Sequence, residues 1–260
     1  MSSDTQKTTA LAQIYEQLVS GLQEYLKKHN FTRAVIGVSG GIDSALTLKI
    51  AVDALGPKNV TGLLMPEKGV SSEENVFHAR TLCDFFGAKY HIIPINRFIM
   101  EFGMLPWKSE GVALMNLKAR TRMTILYHYA NTNNALVLGT SNKSEILLGY
   151  GTKFGDFAAD IEVIGELYKE DVYALSGYIG MPDELMIKPP TAELTPGQSD
   201  ENELGASYNE LDPILKQHEL GFERLLEKGI NPALVNRIFR RIEENKHKTS
   251  PTPILKITNS

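Results

Sequence analysis

Val35-Ile-Gly-Val-Ser-Gly-Gly-Ile-Asp-Ser44 is the stretch that decides the fold, because it is typical of a buried strand that turns directly into a helix. Gly40 and Gly41 end the strand and allow backbone angles that residues with a Cβ avoid. Free N–H groups at the start of the helix, beside the hydroxyls of Ser39 and Ser44, predict a pocket for a phosphate or pyrophosphate. Apolar residues then recur at the spacing of one helix face, at Ile42, Ala45, Leu46, Ile50, Ala51 and Leu55.

Asp43 is the unusual member of this loop, because a carboxylate repels a bound phosphate unless a metal ion lies between them. Mg²⁺ favours one or two carboxylates together with phosphate oxygens, so Asp43 is predicted to be its ligand. The chain has no Gly-Lys-Ser/Thr triplet, which a Walker-type loop requires. The segment resembles instead the Ser-Gly-Gly-x-Asp-Ser pyrophosphate loop of enzymes that split ATP into AMP and pyrophosphate.

Composition narrows the classes of protein that are possible. Of the 260 residues, 42% are hydrophobic, which is enough for a proper core. A net charge of −4 argues against general affinity for nucleic acid. No apolar run approaches membrane-spanning length and the first residues lack signal-peptide features, so no membrane partner and a cytoplasmic location are expected. The one cysteine, Cys83, excludes an internal disulfide and is expected in the core.

Segments that read as strands and helices alternate along the first half of the chain. This order predicts a doubly wound α/β fold, with a mainly parallel sheet flanked by helices. Ligands of such sheets bind beyond the carboxyl ends of the strands. Residues 97–110 read as an irregular connection and 187–205 as a long loop, and the whole chain, 1–260, is expected to form one domain. Predicted strands cover 34–38, 60–65, 90–95, 135–138 and 161–164; predicted helices cover 11–29, 42–55, 71–86, 112–131, 169–179 and several pieces of 208–245.

A second polar cluster follows the predicted strand 135–138. It reads Gly139-Thr-Ser-Asn-Lys-Ser-Glu145 and continues as Gly149-Tyr-Gly-Thr-Lys-Phe-Gly-Asp156, with Asp160 shortly after. Further along stands Lys188-Pro-Pro-Thr-Ala-Glu-Leu194. With the pyrophosphate loop, and in this order, these motifs resemble the ammonia-dependent NAD synthetase family over nearly the whole chain.

The resemblance implies a fold, a reaction and an assembly. The fold would be a doubly wound sheet of the adenine nucleotide alpha hydrolase-like kind, and the enzyme a homodimer with the substrate site near the interface. ATP would adenylylate the nicotinate carboxylate of deamido-NAD, and ammonia would then displace AMP to give NAD. Such chemistry needs a metal and cationic groups to balance the phosphate charge, and a base for the ammonium ion.

Roles follow for the positions that match the family motifs. Asp43 and Glu145 would bind Mg²⁺, and Asp156 would position the ammonium ion. Asp156 and Lys169 are the expected catalytic residues. ATP would contact Gly37, Val38, Ser39, Gly40, Gly41, Ile42, Asp43, Ser44, Thr140, Lys169 and Thr191. Deamido-NAD would contact Arg120, Lys153, Asp160, His247 and Lys248.

Plainer interpretations compete at several of these positions. Glu145 begins a predicted helix, where acids are common because of the helix dipole. Lys118 and Arg122 share one helix face, for which a solvated basic surface is the plainer interpretation, whereas Arg120 points roughly the opposite way and is expected to bind substrate. Residues 66–72 and 191–205 are expected to close over the site when ligands bind.

Two alternative functions are weighed against amidation. A tRNA-modifying pyrophosphate-loop enzyme would be expected to show a basic surface and an RNA-binding module, and neither is evident. A nucleotide-binding regulatory module would be expected to have lost Glu145, Lys169 or the cluster 153–160, and all are present. AMP production that depends on deamido-NAD would separate these functions. No residues are left for a glutaminase domain, so the nitrogen donor is expected to be free ammonia or ammonia from a separate partner.

Overall fold

A five-stranded, fully parallel sheet forms the centre of the computed structural model, which describes residues 3–188, 194 and 199–257. Its strands are β1 (Ala34–Gly37), β2 (Val60–Leu64), β3 (Lys89–Ile92), β4 (Leu136–Gly139) and β5 (Ile161–Glu162). Their spatial order is β3-β2-β1-β4-β5, and Ala34 lies opposite both Val60 and Leu136. The chain therefore winds outward on one side of β1 and then on the other, and the loop after β1 lies at the switch point, where such sheets bind ligands.

Helices flank this sheet and also build the C-terminal part of the chain. Both features agree with the predicted fold class. The helices are α1 (Ser3–Lys28), α2 (Ile42–Leu55), α3 (Glu73–Phe86), α4 (Asn96–Phe102), α5 (Val112–Asn133), α6 (Lys143–Leu148), α7 (Lys169–Tyr178), α8 (Asp183–Met186), α9 (Asp200–Leu204), α10 (Tyr208–Leu215), α11 (Phe222–Glu227) and α12 (Pro232–Asn245).

Both faces of the sheet are covered, because successive side chains of a strand point to opposite sides. Ile36 of β1 lies in a core that it shares with α1, α2, α3 and α7. Its neighbour Val35 lies in a separate core with Ile95 and with Ala130 of α5. Both β1 side chains are fully buried, so β1 reads as a continuous apolar run rather than an alternating one.

The C-terminal helices have their own apolar cluster. Leu225 of α11 and Val235 of α12 are fully buried in it, and Leu148 at the end of α6 joins them. The Asn231 side chain caps α12 by accepting a hydrogen bond from the backbone N–H of Ala233 at 2.9 Å. Through α6, this cluster supports the polar segment that follows β4.

Some predicted elements differ from those observed. The predicted connection 97–110 contains α4, a seven-residue helix without a capping side chain and hence without a helix-start signal. The predicted strand 161–164 pairs with β4 over two residues only. The predicted loop 187–205 contains α9, while 189–193 and 195–198 lie outside the described residues.

Cys83 is a core residue, as expected. It lies fully buried in α3 against Gly62 of β2, where an added Cβ would be 3.0 Å from the sulfur. Burial raises the pKa of the Cys83 thiol to about 12, so the thiol stays protonated and unreactive. Within the described ranges, none of the helices is long and apolar enough to cross a membrane.

Candidate active site

Hydrogen bonds of two serine hydroxyl groups stabilise the conformation of the loop between β1 and α2. Ser39 and Ser44 lie with their Oγ atoms 3.1 Å apart, and the Ser39 Oγ accepts a hydrogen bond from the N–H of Gly41 at 3.2 Å. The helix α2 begins after Gly41, and no side chain caps it. Its first N–H groups and its positive dipole end thus face a cavity of about 480 Å³, which residues 37–39 and 41–44 help to line.

Two predicted metal ligands and one predicted catalytic lysine meet beside this loop. The Lys169 Nζ lies 2.5 Å from Asp43 Oδ2 and 3.9 Å from Glu145 Oε1. Asp43 comes from the first turn of α2, Glu145 from α6 and Lys169 from the start of α7. The side chain of Lys169 is 2% exposed, whereas those of Asp43 and Glu145 are 19% and 17% exposed. All three residues line the cavity, and the two carboxylates are more exposed than the lysine.

Asn142 connects the two carboxylates, and sequence reasoning missed it. Its Nδ2 donates to Asp43 Oδ1 at 2.9 Å, while its Oδ1 accepts from the Glu145 N–H at 3.0 Å. The Glu145 carboxylate in turn accepts from the Asn142 N–H at 3.1 Å, which completes a capping box. The spacing Asn-x-x-Glu was the signal that could have identified this residue.

The charges of this centre depend on one another. Burial raises the pKa of Glu145, and the neighbouring Asp43 raises it further. Burial alone would lower the pKa of Lys169, but Asp43 and Glu145 raise it on balance, so this lysine stays charged. Two carboxylates beside the loop 37–44 match the donor set of Mg²⁺, which completes its shell with phosphate oxygens and water.

The C-terminal helices add residues to the same cavity. Asp200 of α9 is 3% exposed and accepts hydrogen bonds from the hydroxyls of Tyr150, at 3.1 Å, and Tyr208, at 3.3 Å. The Tyr208 ring lies 5.3 Å from the Lys169 ammonium group. Asp200, from a part of the sequence without recognised motifs, is therefore part of the cavity wall.

Asp156 lies at another wall of the cavity, in the turn that follows Gly149. Its Oδ2 accepts a hydrogen bond from the N–H of Thr152 at 2.7 Å. The carboxylate remains accessible from the cavity but has protein on most sides, and this loss of water raises its pKa, while Thr152 and Arg122 counteract the rise. A carboxylate in this setting can bind a small cation and accept its proton.

Glu162 of β5 supports the turn between β4 and α6. Its Oε2 accepts from the Ser141 N–H at 3.0 Å, and burial raises the pKa of its carboxyl to about 7. A Cβ on Gly139 would stand 2.1 Å from the same oxygen. Glycine at 139 thus allows the carboxylate to approach the turn that carries Thr140, which lines the cavity as predicted for an ATP contact.

The comparisons with known proteins fit this arrangement. Residues 14–252 match the family model described as NAD synthase. The chain belongs to the NAD synthase family. It is 42% identical to the NH(3)-dependent NAD(+) synthetase of Wolinella succinogenes, over 94% of this chain and 95% of the relative.

Two solved structures are similar over nearly their whole length. One is an NH3-dependent NAD synthetase from Campylobacter jejuni in complex with a nitrate ion, with 36% identity, a TM-score of 0.82, and coverage of 95% of this chain and 99% of the other. The second is an NMN synthetase from Francisella tularensis, with 30% identity, a TM-score of 0.84 and the same coverage.

The five residues expected to contact deamido-NAD do not all lie at the cavity in this NAD synthase family member. Arg120 is exposed and donates to the Lys153 carbonyl, and the Lys153 Nζ donates to the His247 carbonyl at 2.7 Å. Lys248 alone of the five lines the cavity, and its Nζ donates to the Gly149 carbonyl at 2.9 Å. The Asp160 carboxylate accepts from the Val137 N–H at 2.8 Å and from Tyr127. Arg120, Lys153 and His247 thus form one connected group that does not line the cavity, whereas Asp160 contacts β4 and α5.

The interpretation of Lys118 and Arg122 as a solvated surface was wrong. Lys118 is 4% exposed; its Nζ lies 2.6 Å from Glu67 Oε2 and donates to the Leu194 carbonyl at 2.8 Å. Arg122 lines the cavity and donates to the Met65 carbonyl at 3.0 Å. Helical spacing places these two residues together but does not say which face meets solvent. Thr191, predicted to contact ATP, lies outside the described residues.

Proposed function

We propose that this chain amidates deamido-NAD with ammonia, consuming ATP and releasing AMP and pyrophosphate. The observation that carries the proposal is the position of the Asp43–Lys169–Glu145 centre beside an uncapped helix start, with Asp156 in the same cavity. The first three residues suit transfer of the adenylyl group of ATP to a carboxylate, and the fourth suits binding of the ammonium ion. Membership of the NAD synthase family and the activity of the relatives support the same reaction.

Adenylylation forms a bond between the nicotinate carboxylate and the α-phosphorus of ATP while pyrophosphate leaves. The N–H groups and hydroxyls of residues 39–44 would hold the phosphates, and Lys169 would balance the charge that develops on them. Asp43 and Glu145 would hold Mg²⁺, which, when bound, neutralises and orients phosphate oxygens. Lys188 also lines the cavity with an Nζ that has no hydrogen-bond partner in the described part of the chain, and a phosphate would supply one.

Amide formation follows when ammonia attacks the acyl carbon and AMP departs. An ammonium ion must lose a proton before it can attack, and Asp156 would bind the ion and accept that proton. Arg120, Lys153, Asp160, His247 and Lys248 remain the proposed contacts of deamido-NAD. Four of these residues lie outside the cavity, which is compatible with a long dinucleotide that extends across its rim.

The reaction is tested by incubating purified protein with deamido-NAD, ATP, Mg²⁺ and ammonium chloride. We expect NAD and AMP in equal amounts. We expect no NAD when glutamine replaces ammonium, because the proposed site binds ammonia and none of its assigned residues would hydrolyse glutamine. Chromatography of the nucleotides measures both products. ATP binding without NAD formation would contradict the proposal and leave only the family fold.

A second candidate is the formation of NMN, by amidation of the corresponding mononucleotide. The likeness to the Francisella tularensis NMN synthetase, which covers 95% of this chain, favours including it. The higher identity to the Wolinella succinogenes NAD synthetase favours the dinucleotide. Parallel reactions with the two acids decide between them, since the preferred substrate will show the larger kcat/KM.

Gly40→Ala is expected to damage the phosphate site and the fold together. Gly40 has φ +83°, and a Cβ there would stand 2.3 Å from the Asn75 carbonyl oxygen. We expect the free energy of unfolding to fall by about 1–3 kcal/mol and kcat/KM for ATP to fall by about 10²-fold, because the loop must shift.

Gly56→Ala is the matched control. Gly56 also has a positive φ, +79°, but nothing lies within 4 Å of an added Cβ, and this residue does not line the cavity. Thermal melts should show a loss of stability in both variants, whereas ATP titrations should show weaker binding in Gly40→Ala alone. Equal loss of ATP affinity in both would show that the conformation of Gly40 is not what the loop requires.

A homodimer is also part of the proposal. The segment from α4 to the start of α5 exposes an unusual number of large apolar side chains, which soluble monomers rarely do. Trp107 is 63% exposed and Met104 is 83% exposed. A second copy of the chain would cover this surface. The exposed residues are Phe98, Met100, Phe102, Met104, Leu105, Trp107 and Val112.

A further inference from the structure

The start of α7 decides where the Lys169 ammonium group stands, because Lys169 is the first residue of that helix. The preceding residue, Tyr168, supplies no side-chain cap. The first N–H groups are satisfied from other elements instead. The Lys169 N–H donates to Ser144 Oγ at 3.0 Å, and the Glu170 N–H donates to Asp212 Oδ2 at 2.9 Å.

Ser144 and Asp212 are themselves joined. The Ser144 hydroxyl donates to Asp212 Oδ1 at 2.5 Å, so Asp212 accepts from both α6 and α7. Both residues are fully buried, and neither lines the cavity. Ser144 directly precedes Glu145 on α6. One carboxylate of the C-terminal helix α10 thus connects the two helices that carry Glu145 and Lys169.

The energetics of this contact favour a specific geometry. A buried carboxylate is costly unless its oxygens receive hydrogen bonds, and charge-assisted bonds to hydroxyl and N–H groups are among the stronger ones. A negative charge at a helix start is also stabilised by the dipole. Asp212 satisfies these conditions only while α6 and α7 keep their present separation, so it resists sliding of one helix along the other.

We infer that Asp212, acting through Ser144, is a positioning residue that sets the distance from Lys169 and Glu145 to Asp43. The inference rests on the proposed function, because Lys169 and Glu145 matter for ATP and metal in that reaction. It gives the C-terminal helices a part in adenylylation. Neither Asp212 nor Ser144 touches the reacting groups.

The test uses Asp212→Asn, Ser144→Ala and the double variant, assayed well below their unfolding temperatures. We expect the Mg²⁺–ATP affinity and kcat to fall about 10- to 100-fold in Asp212→Asn, as for other residues that orient ligand-bearing groups. The KM for deamido-NAD should stay within about twofold, since its proposed contacts lie elsewhere. The double variant should be no worse than Asp212→Asn, because both changes break one network.

Leu225→Ala controls for simple loss of stability. Leu225 is fully buried in the same C-terminal cluster but makes no polar contact with α7. It should lower the unfolding temperature without changing ATP affinity. Equal loss of ATP affinity in this variant, or unchanged affinity in Asp212→Asn, would overturn the inference. Calorimetry of Mg²⁺–ATP binding needs no second substrate, so absence of NAD formation in the parent protein would contradict the proposed function separately.

Discussion

Replacing Lys169 by methionine is expected to lower the rate of NAD formation by about 10²–10³-fold, the usual result of removing one group that stabilises transition-state charge. Methionine nearly keeps the length of the side chain and removes the ammonium group. Asp43 and Glu145 would both lose the same ammonium group, which lies 2.5 Å from Asp43 Oδ2 and 3.9 Å from Glu145 Oε1. Steady-state NAD formation at saturating ATP and Mg²⁺ measures the effect.

Lys143→Met is the matched control for that variant. Lys143 lies on α6, close in sequence to Glu145, and pairs at 2.7 Å with Glu166, whose side chain is 86% exposed. Exposed ion pairs contribute little, so the rate should change less than about threefold. If Lys169→Met retained a rate within about tenfold of the parent, the lysine would be a structural counterion and not a catalytic group.

Asp156→Asn is expected to block amide formation and to spare adenylylation. Loss of a positioned base costs about 10²–10⁴-fold in the step that uses it. The exchange of labelled pyrophosphate into ATP, dependent on deamido-NAD, reports the first step alone and should stay near the parent level. Asp84→Asn, an exposed change on α3, is the control. Loss of exchange together with NAD formation would place Asp156 in the first step instead.

The pH dependence of this variant gives a second test. The protein around the cavity-facing carboxylate displaces water and raises the pKa of Asp156 above its ordinary value, and only the ionised form can accept a proton. The ratio of parent to Asp156→Asn rates should therefore rise with pH through the raised pKa of Asp156 and then become level. Taking the ratio removes the titration of ammonium, which both proteins share. A ratio that is flat from pH 5 to pH 9 would contradict a proton-accepting role.

The alternation of strands and helices was predictable from sequence because each element is long enough to show a period. The parallel sheet followed from that alternation and the loop 37–44 from its own motif, whereas the roles of Asp43, Glu145 and Lys169 in one site were implied by the resemblance to the family. The helix α4 was missed because it is short and uncapped. The helix α9 was also missed, because the sequence pattern showed no start or end of a helix within the predicted loop 187–205.

Contacts between distant parts of the chain were beyond sequence reasoning. Lys118 and Arg122 face the protein and not solvent, because residues that follow β2 and the carbonyl of Leu194 contact them on that face of α5. Asp200 and Asp212 belong to short helices of ordinary composition, and their roles appear only when the C-terminal helices pack on α6 and α7. Amphipathic spacing identifies a shared face of a helix, but tertiary packing decides what that face meets.

Lys118 has a mechanical consequence for access to the cavity. Its ammonium group is shared between Glu67, which follows the cavity residue Pro66, and the carbonyl of Leu194, which lines the cavity. A nearly buried charge left with one partner is costly, so the same ammonium group resists displacement of either residue. Movements of Glu67 and Leu194 away from α5 should therefore be correlated in time.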